Sequence, residues 1–196
     1  MIDFDSEAFR VELQSFSSDE LLAISAASAQ RTFAVIERHA DRLDAQTVET
    51  LAAFLGMVWA STSSQTDLAA EDRDLVESLV PDGDDEDWSP ALAYLQNAAA
   101  ATAYAVSAAL EGDMQNAFWS VWQVYDLADF EAMRINPDLD LNTESGRESV
   151  TSSDVVQAAI SGIHADVRSV RQGIDAVELR ERVRADSARW AQLFAG

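Results

Sequence analysis

Residues 89–130 read SPALAYLQNAAAATAYAVSAALEGDMQNAFWSVWQVYDLADF, and this stretch decides the fold class. Ser89 is a helix cap, and Pro90 suits the first helical turn, where its missing N–H costs nothing. Behind them Leu92, Leu95, Ala99, Ala103, Val106 and Leu110 recur at the spacing of one helix face. The small residues Ala98 to Ala101 let a neighbouring backbone approach closely. Gly112 ends this helix and Asp113 caps the next. The second helix carries Phe118, Trp119, Trp122, Tyr125 and Phe130. So short a turn makes the pair an antiparallel helical hairpin. The 23 residues from Trp88 to Leu110 hold no charge, a length that would span a bilayer. Their alanines, with Gln96, Asn97 and Thr102, predict instead a buried helix and no membrane partner.

Helical spacing continues in both directions. Upstream, Phe9, Leu13 and Phe16 suggest a short first helix, and Ser17 with Glu20 forms a capping box. Leu22, Ala26, Ala29, Phe33, Ile36 and Ala40 then mark one face of a long helix. Asp44 caps a third helix with Val48, Leu51, Leu55 and Val58 inward. After a polar patch, a fourth helix over about residues 67–80 carries Leu68, Leu75, Val76 and Leu79, and Pro81 stops it. Downstream, residues 136–149 read as irregular and polar. Ser152 or Ser153 caps a helix with Val156, Ile160, Ile163, Val167, Val170 and Ile174 in a heptad, which Gly173 ends or kinks. Leu179, Val183, Trp190 and Leu193 repeat the pattern. No alternating, strand-like run occurs. The expectation is an all-α single domain over residues 1–196, a bundle of about seven or eight helices. It has an acidic body, 1–150, and a C-terminal arm, 151–196, packed on the body or on a second subunit in a homodimer.

Charge narrows the partners. The chain has 35 acids, 13 bases and a net charge of −22, and every base is arginine. From His164 onward six arginines and five acids leave +1, so the rest carries −23. Such a body is repelled by nucleic acid and attracted to basic proteins. The start, Met1-Ile2-Asp3-Phe4-Asp5, lacks the basic-then-apolar layout of a signal peptide, which makes a cytoplasmic location the expectation.

The residue inventory offers little chemistry. There is no cysteine and no lysine, and His39 and His164 are the two histidines. Thiolate nucleophiles, Schiff bases, P-loop lysines and a three-histidine metal site within one chain are excluded. Asp84, Asp85, Glu86 and Asp87 resemble the carboxylate cluster of a magnesium-dependent prenyl-transfer enzyme, but Trp88 stands where a further acid is needed. Asp138, Asp140, Asn142 and Glu144 alternate like calcium-loop ligands, but Thr143 replaces the required glycine and Ser149 the closing carboxylate. Asp126 with Asp129, and Glu178 with Glu181, lack the further acids of a nucleotide pyrophosphohydrolase. Asp126 and Asp129 read as the wet side of their helix. His39, among Glu37, Arg38 and Asp41, reads as a surface residue, and His164 as a boundary residue. The expectation is a non-enzyme with no metal and no cofactor.

Leu13-Gln14-Ser15-Phe16-Ser17, an Ala-rich helix holding Gln30-Arg31, Leu79-Val80-Pro81-Asp82, an acidic loop and the Ala-rich hairpin follow in an order that resembles the YjaG-like family. These are small bacterial helical proteins of unknown function. The likeness covers about residues 6–134. It implies an all-helical cytoplasmic domain and supplies no catalytic residue. The absent lysine and the Arg-rich arm depart from the family.

Together these features predict a non-catalytic binding module that engages a basic protein. A concrete form is an immunity or antitoxin-like inhibitor covering the cationic cleft of a nuclease-type toxin. The expected contact is Asp84, Asp85, Glu86, Asp87 and Trp88, with Trp119 and Trp122 as aromatic anchors. A cytoplasmic structural or housekeeping homo-oligomer is the alternative.

Overall fold

Ser17 and Glu20 do close a capping box: the Ser17 N–H donates to Glu20 Oε2 at 2.7 Å, and the Glu20 N–H to Ser17 Oγ at 3.4 Å. The helix that starts there, α2 (Ser18–Arg38), is the axis of the molecule. The structure is a computed structural model that describes residues 4–63, 68–82 and 89–194. Around α2 stand α1 (Ser6–Leu13), α3 (Ala45–Ser61), α4 (Ala70–Glu77), α5 (Pro90–Glu111), α6 (Met114–Ile135), α7 (Glu144–Thr151), α8 (Asp154–Arg171) and α9 (Ala176–Trp190). Single 3-10 turns follow α2 and α9. The described residues thus form nine α-helices, somewhat more than expected, and no strand.

The central position of α2 follows from its composition. Fifteen of its 21 residues are buried, so it is enclosed on all sides rather than on the one face its leucines mark. Alanine and serine make this possible, because they let neighbours come close. The buried hydroxyls turn back onto their own helix: Ser25 donates to the Leu21 carbonyl at 2.8 Å, Ser28 to Ile24 at 3.0 Å and Thr32 to Ala29 at 3.0 Å. Each is satisfied without a tertiary partner. Helices α3, α5, α6, α8 and α9 all pack on α2. The α5–α6 hairpin is built as its sequence dictates. Ser89 accepts from the Leu92 N–H, Gly112 adopts φ 65°, and Asp113 accepts from the Asn116 N–H. The Ser18 hydroxyl donates to the Gly112 carbonyl at 3.0 Å, fixing the turn to the start of α2.

Two buried ionic groups cross-link the bundle. On one side Arg31 of α2, only 2% exposed, clamps Asp166 of α8 through Nε at 2.6 Å and Nη2 at 2.9 Å. Asp166 also accepts from Arg182 of α9 at 2.8 Å. On the other side Glu131 of α6, 0% exposed, accepts the Tyr94 hydroxyl of α5 at 2.7 Å and is held by Arg134 at 2.7 and 2.9 Å.

Several expectations are corrected. His39 is buried at 3% exposure, because the end of α2 turns its ring against Tyr94, with centroids 5.1 Å apart. Leu75, expected inward, is 50% exposed, since α4 is short and buries Val76 alone. Leu193 is exposed and Phe194 takes its place in the core, packing edge-on to Tyr94 and Trp190. The stretch 136–149 is not wholly irregular, for Thr143 caps α7 through the Gly146 N–H. Ser153 occupies the cap position of α8 but sends its hydroxyl to the Val150 carbonyl at 2.6 Å. Gly173, at φ 74°, follows the end of α8 rather than kinking it. No helix among the described residues is long and apolar enough to cross a membrane.

Candidate binding surface

The aromatic helix α6 cannot turn all its rings inward. Phe118, Val121, Val124, Leu127 and Ala128 occupy its buried face, which leaves Trp119, Trp122 and Tyr125 half-buried beside it. These rings form a continuous ridge. Tyr104 of α5 stacks on Trp119 at 6.4 Å, Trp119 meets Trp122 edge-on at 6.5 Å, and Trp122 lies 5.6 Å from Tyr125. Phe4 stacks on Tyr125 at 5.0 Å and closes the far end. The Arg10 guanidinium of α1 sits over Phe118 at 4.1 Å and Trp119 at 5.4 Å, a cation–π clamp that fixes the ridge.

Tyr104 also lines a cleft of about 470 Å³ between α4 and the hairpin. Ala100, Ala103 and Ser107 form part of its lining, and Asp74, Glu77 and Glu111 give it three carboxylates against the single cation Arg73. Arg73 reaches across to Glu111 at 2.9 Å, and Asn116 holds the other Glu111 oxygen at the same distance. Glu111 is therefore neutralised and positioned, whereas Asp74 shares the same arginine at a longer 3.8 Å and Glu77 has no ion pair among the described residues. The cleft keeps a negative balance, and one of its walls runs directly into the aromatic ridge.

Of the residues expected to contact a partner, Trp119 and Trp122 lie on this ridge. Asp84, Asp85, Glu86, Asp87 and Trp88 lie outside the described residues. Sequence spacing did not indicate Tyr104, Glu111, Asp74 or Arg10, because their meeting depends on how α1 and α4 dock on the hairpin.

The other candidate chemistry resolves into structure. Asp140 accepts from the Asn142 backbone and side chain, both at 3.0 Å, and so serves a turn leading into α7. Asp126 and Asp129 have their carboxyl pKa values raised by burial, Asp129 further by the Asp126 charge. No group of three or more acidic or histidine side chains that could hold a metal gathers among the described residues. Tyr94, beside Glu131, has its hydroxyl pKa pushed up by burial and then by its hydrogen bond to that carboxylate. It therefore stays a donor.

No protein-family model matches the chain, and no curated protein matches it. Among solved structures, a DUF416 family protein from Shewanella baltica OS155 is similar, with a TM-score of 0.73 and 16% identity over 92% of this chain and 93% of that one. At that identity the likeness concerns the fold, a small all-helical domain.

Proposed function

We propose that this chain is a non-catalytic acidic binding module that receives a basic segment of a protein partner in the α4–hairpin cleft and anchors it on the aromatic ridge. The observation that carries the reading is Tyr104, which belongs to both features and makes them one surface. Charge of −22 favours fast encounter with a cationic protein. Half-buried tryptophans and tyrosines are the side chains that slow release. An immunity or antitoxin-like role in the cytoplasm, toward a nuclease-type toxin, is one form of this reading. The sequence likeness to the YjaG-like family and the structural likeness to a DUF416 family protein are compatible with it, and neither supplies a partner.

The test is retention of partners from native lysate on immobilised wild-type protein and on the Asp74→Asn, Glu77→Gln, Trp119→Ala variant, at low and high salt. A basic protein kept by the wild type at low salt, released by high salt and lost by the variant is the expected result. The same proteins retained by both forms, or partners without excess positive charge, would overturn the proposal. With a partner in hand, the two carboxylate changes should slow association and weaken its salt dependence. Trp119→Ala should instead speed dissociation about tenfold.

A further inference from the structure

The guanidinium of Arg31 is engaged on two of its three nitrogens. Nε and Nη2 bind Asp166, and Nη2 also donates to the Gly162 carbonyl at 3.3 Å. Nη1 makes no hydrogen bond among the described residues, although the side chain is only 3% exposed. It lies against Gly162, where a Cβ atom would come within 2.7 Å of it. Arg31 and Gly162 both line a second cleft, of about 380 Å³, between α8 and the end of α9. Glycine at 162 leaves the Nη1 N–H groups uncovered at the floor. Ala158 and Ala165 continue the floor as a smooth apolar surface, and Trp190 and Leu193 form the opposite wall. At the rim Arg189 is paired with Asp186.

The charge at the floor is positive. Arg31 and Arg182 share the carboxylate of Asp166, and Asp186 at the rim pairs with Arg182 and Arg189, so the three arginines and two aspartates of this network carry +1 in a chain of −22. A desolvated guanidinium with free N–H donors is a strong site for a carboxylate oxygen. The apolar walls accept a short hydrocarbon or aromatic body, and the charges at the rim, Asp186 and Arg189, are paired with each other. We infer that the α8–α9 cleft binds a small amphipathic carboxylate, its head on Arg31 Nη1 beside Gly162 and its apolar body between Ala158, Ala165, Trp190 and Leu193. This site is independent of the partner surface on the hairpin.

Calorimetric titration of the full chain with sodium hexanoate tests it, with hexanamide and hexylammonium as controls. Saturable one-to-one binding of hexanoate is expected, at least tenfold weaker for hexanamide and absent for hexylammonium. Ala158→Leu fills the cleft from a half-exposed position without touching the ion network. It should abolish binding and leave the melting temperature nearly unchanged. Arg31→Lys keeps the charge but loses the fork, and should weaken hexanoate while sparing any binding by the walls alone. An acetylated Ala-Leu dipeptide separates two sources of the same chemistry. Binding tighter than hexanoate, lost in its C-terminal amide, identifies a peptide C-terminus; no binding identifies a free acid. Absence of saturable hexanoate binding up to about 10 mM would overturn the inference. So would equal binding of hexylammonium, or unchanged binding by Ala158→Leu.

Discussion

At the scale of single residues, Asp166 shows what holds the centre together. Its carboxylate serves Arg31 and Arg182 at once, inside the protein. Removing it strands a guanidinium that is 2% exposed, so Asp166→Ala is expected to cost about 3–5 kcal/mol in urea unfolding. The double change Arg31→Met, Asp166→Leu should recover most of that loss, since apolar replacement of a buried pair is often neutral. Neither partner stands out in sequence. Arg31 interrupts an apolar pattern as a surface residue would, and its partner lies 135 positions away. His39 departs from the surface position its sequence suggests for a related reason: its neighbours in sequence are charged, but its neighbour in space is Tyr94. Burial, then the charges of Arg42 and Arg38, lower the imidazole pKa below its ordinary 6.5. The unfolded chain thus takes up this proton at a higher pH than the folded one. The contribution is full above 6.5 and is lost as pH falls toward the lowered folded value. His39→Phe should remove that acid-side slope. Urea midpoints of both proteins between about pH 5 and 8 would measure it, and parallel profiles would contradict it.

At the scale of elements, the sequence was clearest where helices are long and their ends are marked. The hairpin has a serine cap, a proline, a left-handed glycine and an aspartate cap, and all four act as their chemistry requires. It failed at α7, a short polar helix burying only Gly146 and Val150. That helix is held by tertiary contact: a Cβ at Gly146 would collide with the Asp140 carbonyl. Gly146→Ala should therefore cost about 1–3 kcal/mol, with hydrogen-exchange protection lost first in α7. Helix α6 carries the opposite kind of flaw. Burial and Asp126 raise the Asp129 pKa above its ordinary 3.8. A raised folded pKa contributes stability below 3.8, and that contribution is lost as pH rises through the folded value. At neutral pH the charged Asp129 is consequently a burden. Asp129→Asn should raise the melting temperature at neutral pH, and the gain should vanish below pH 3.8. An equal gain at both pH values would point to helix propensity instead.

At the scale of the whole molecule, two features that the sequence could only leave open become physical. The stripes of α8 and α9 bury Val156, Ile160, Ile163, Leu179, Val183 and Trp190 within the same chain, so a homodimer using them would first have to release them. The candidate surface is half legible: Trp119 and Trp122 are visible as too many aromatics for one inner face, whereas the cleft arises from Arg73 bridging to Glu111, 38 positions apart. The charge remains the largest global term. With 35 acids and 13 arginines, most carboxylates have no cation to meet, and the folded state concentrates them on one small surface. Screening should therefore stabilise the fold. The Debye length shrinks from about 30 Å at 10 mM salt to about 10 Å at 0.1 M, which removes most long-range repulsion. The ion pairs of Asp166 and Glu131 are buried and hardly screened, so they persist. The melting temperature should rise steeply with NaCl up to about 0.1–0.3 M and then flatten. A gain that grows evenly to higher salt would reflect salt exclusion from the surface rather than charge. A fall on adding salt would mean that surface ion pairs outweigh the repulsion, contrary to this charge balance.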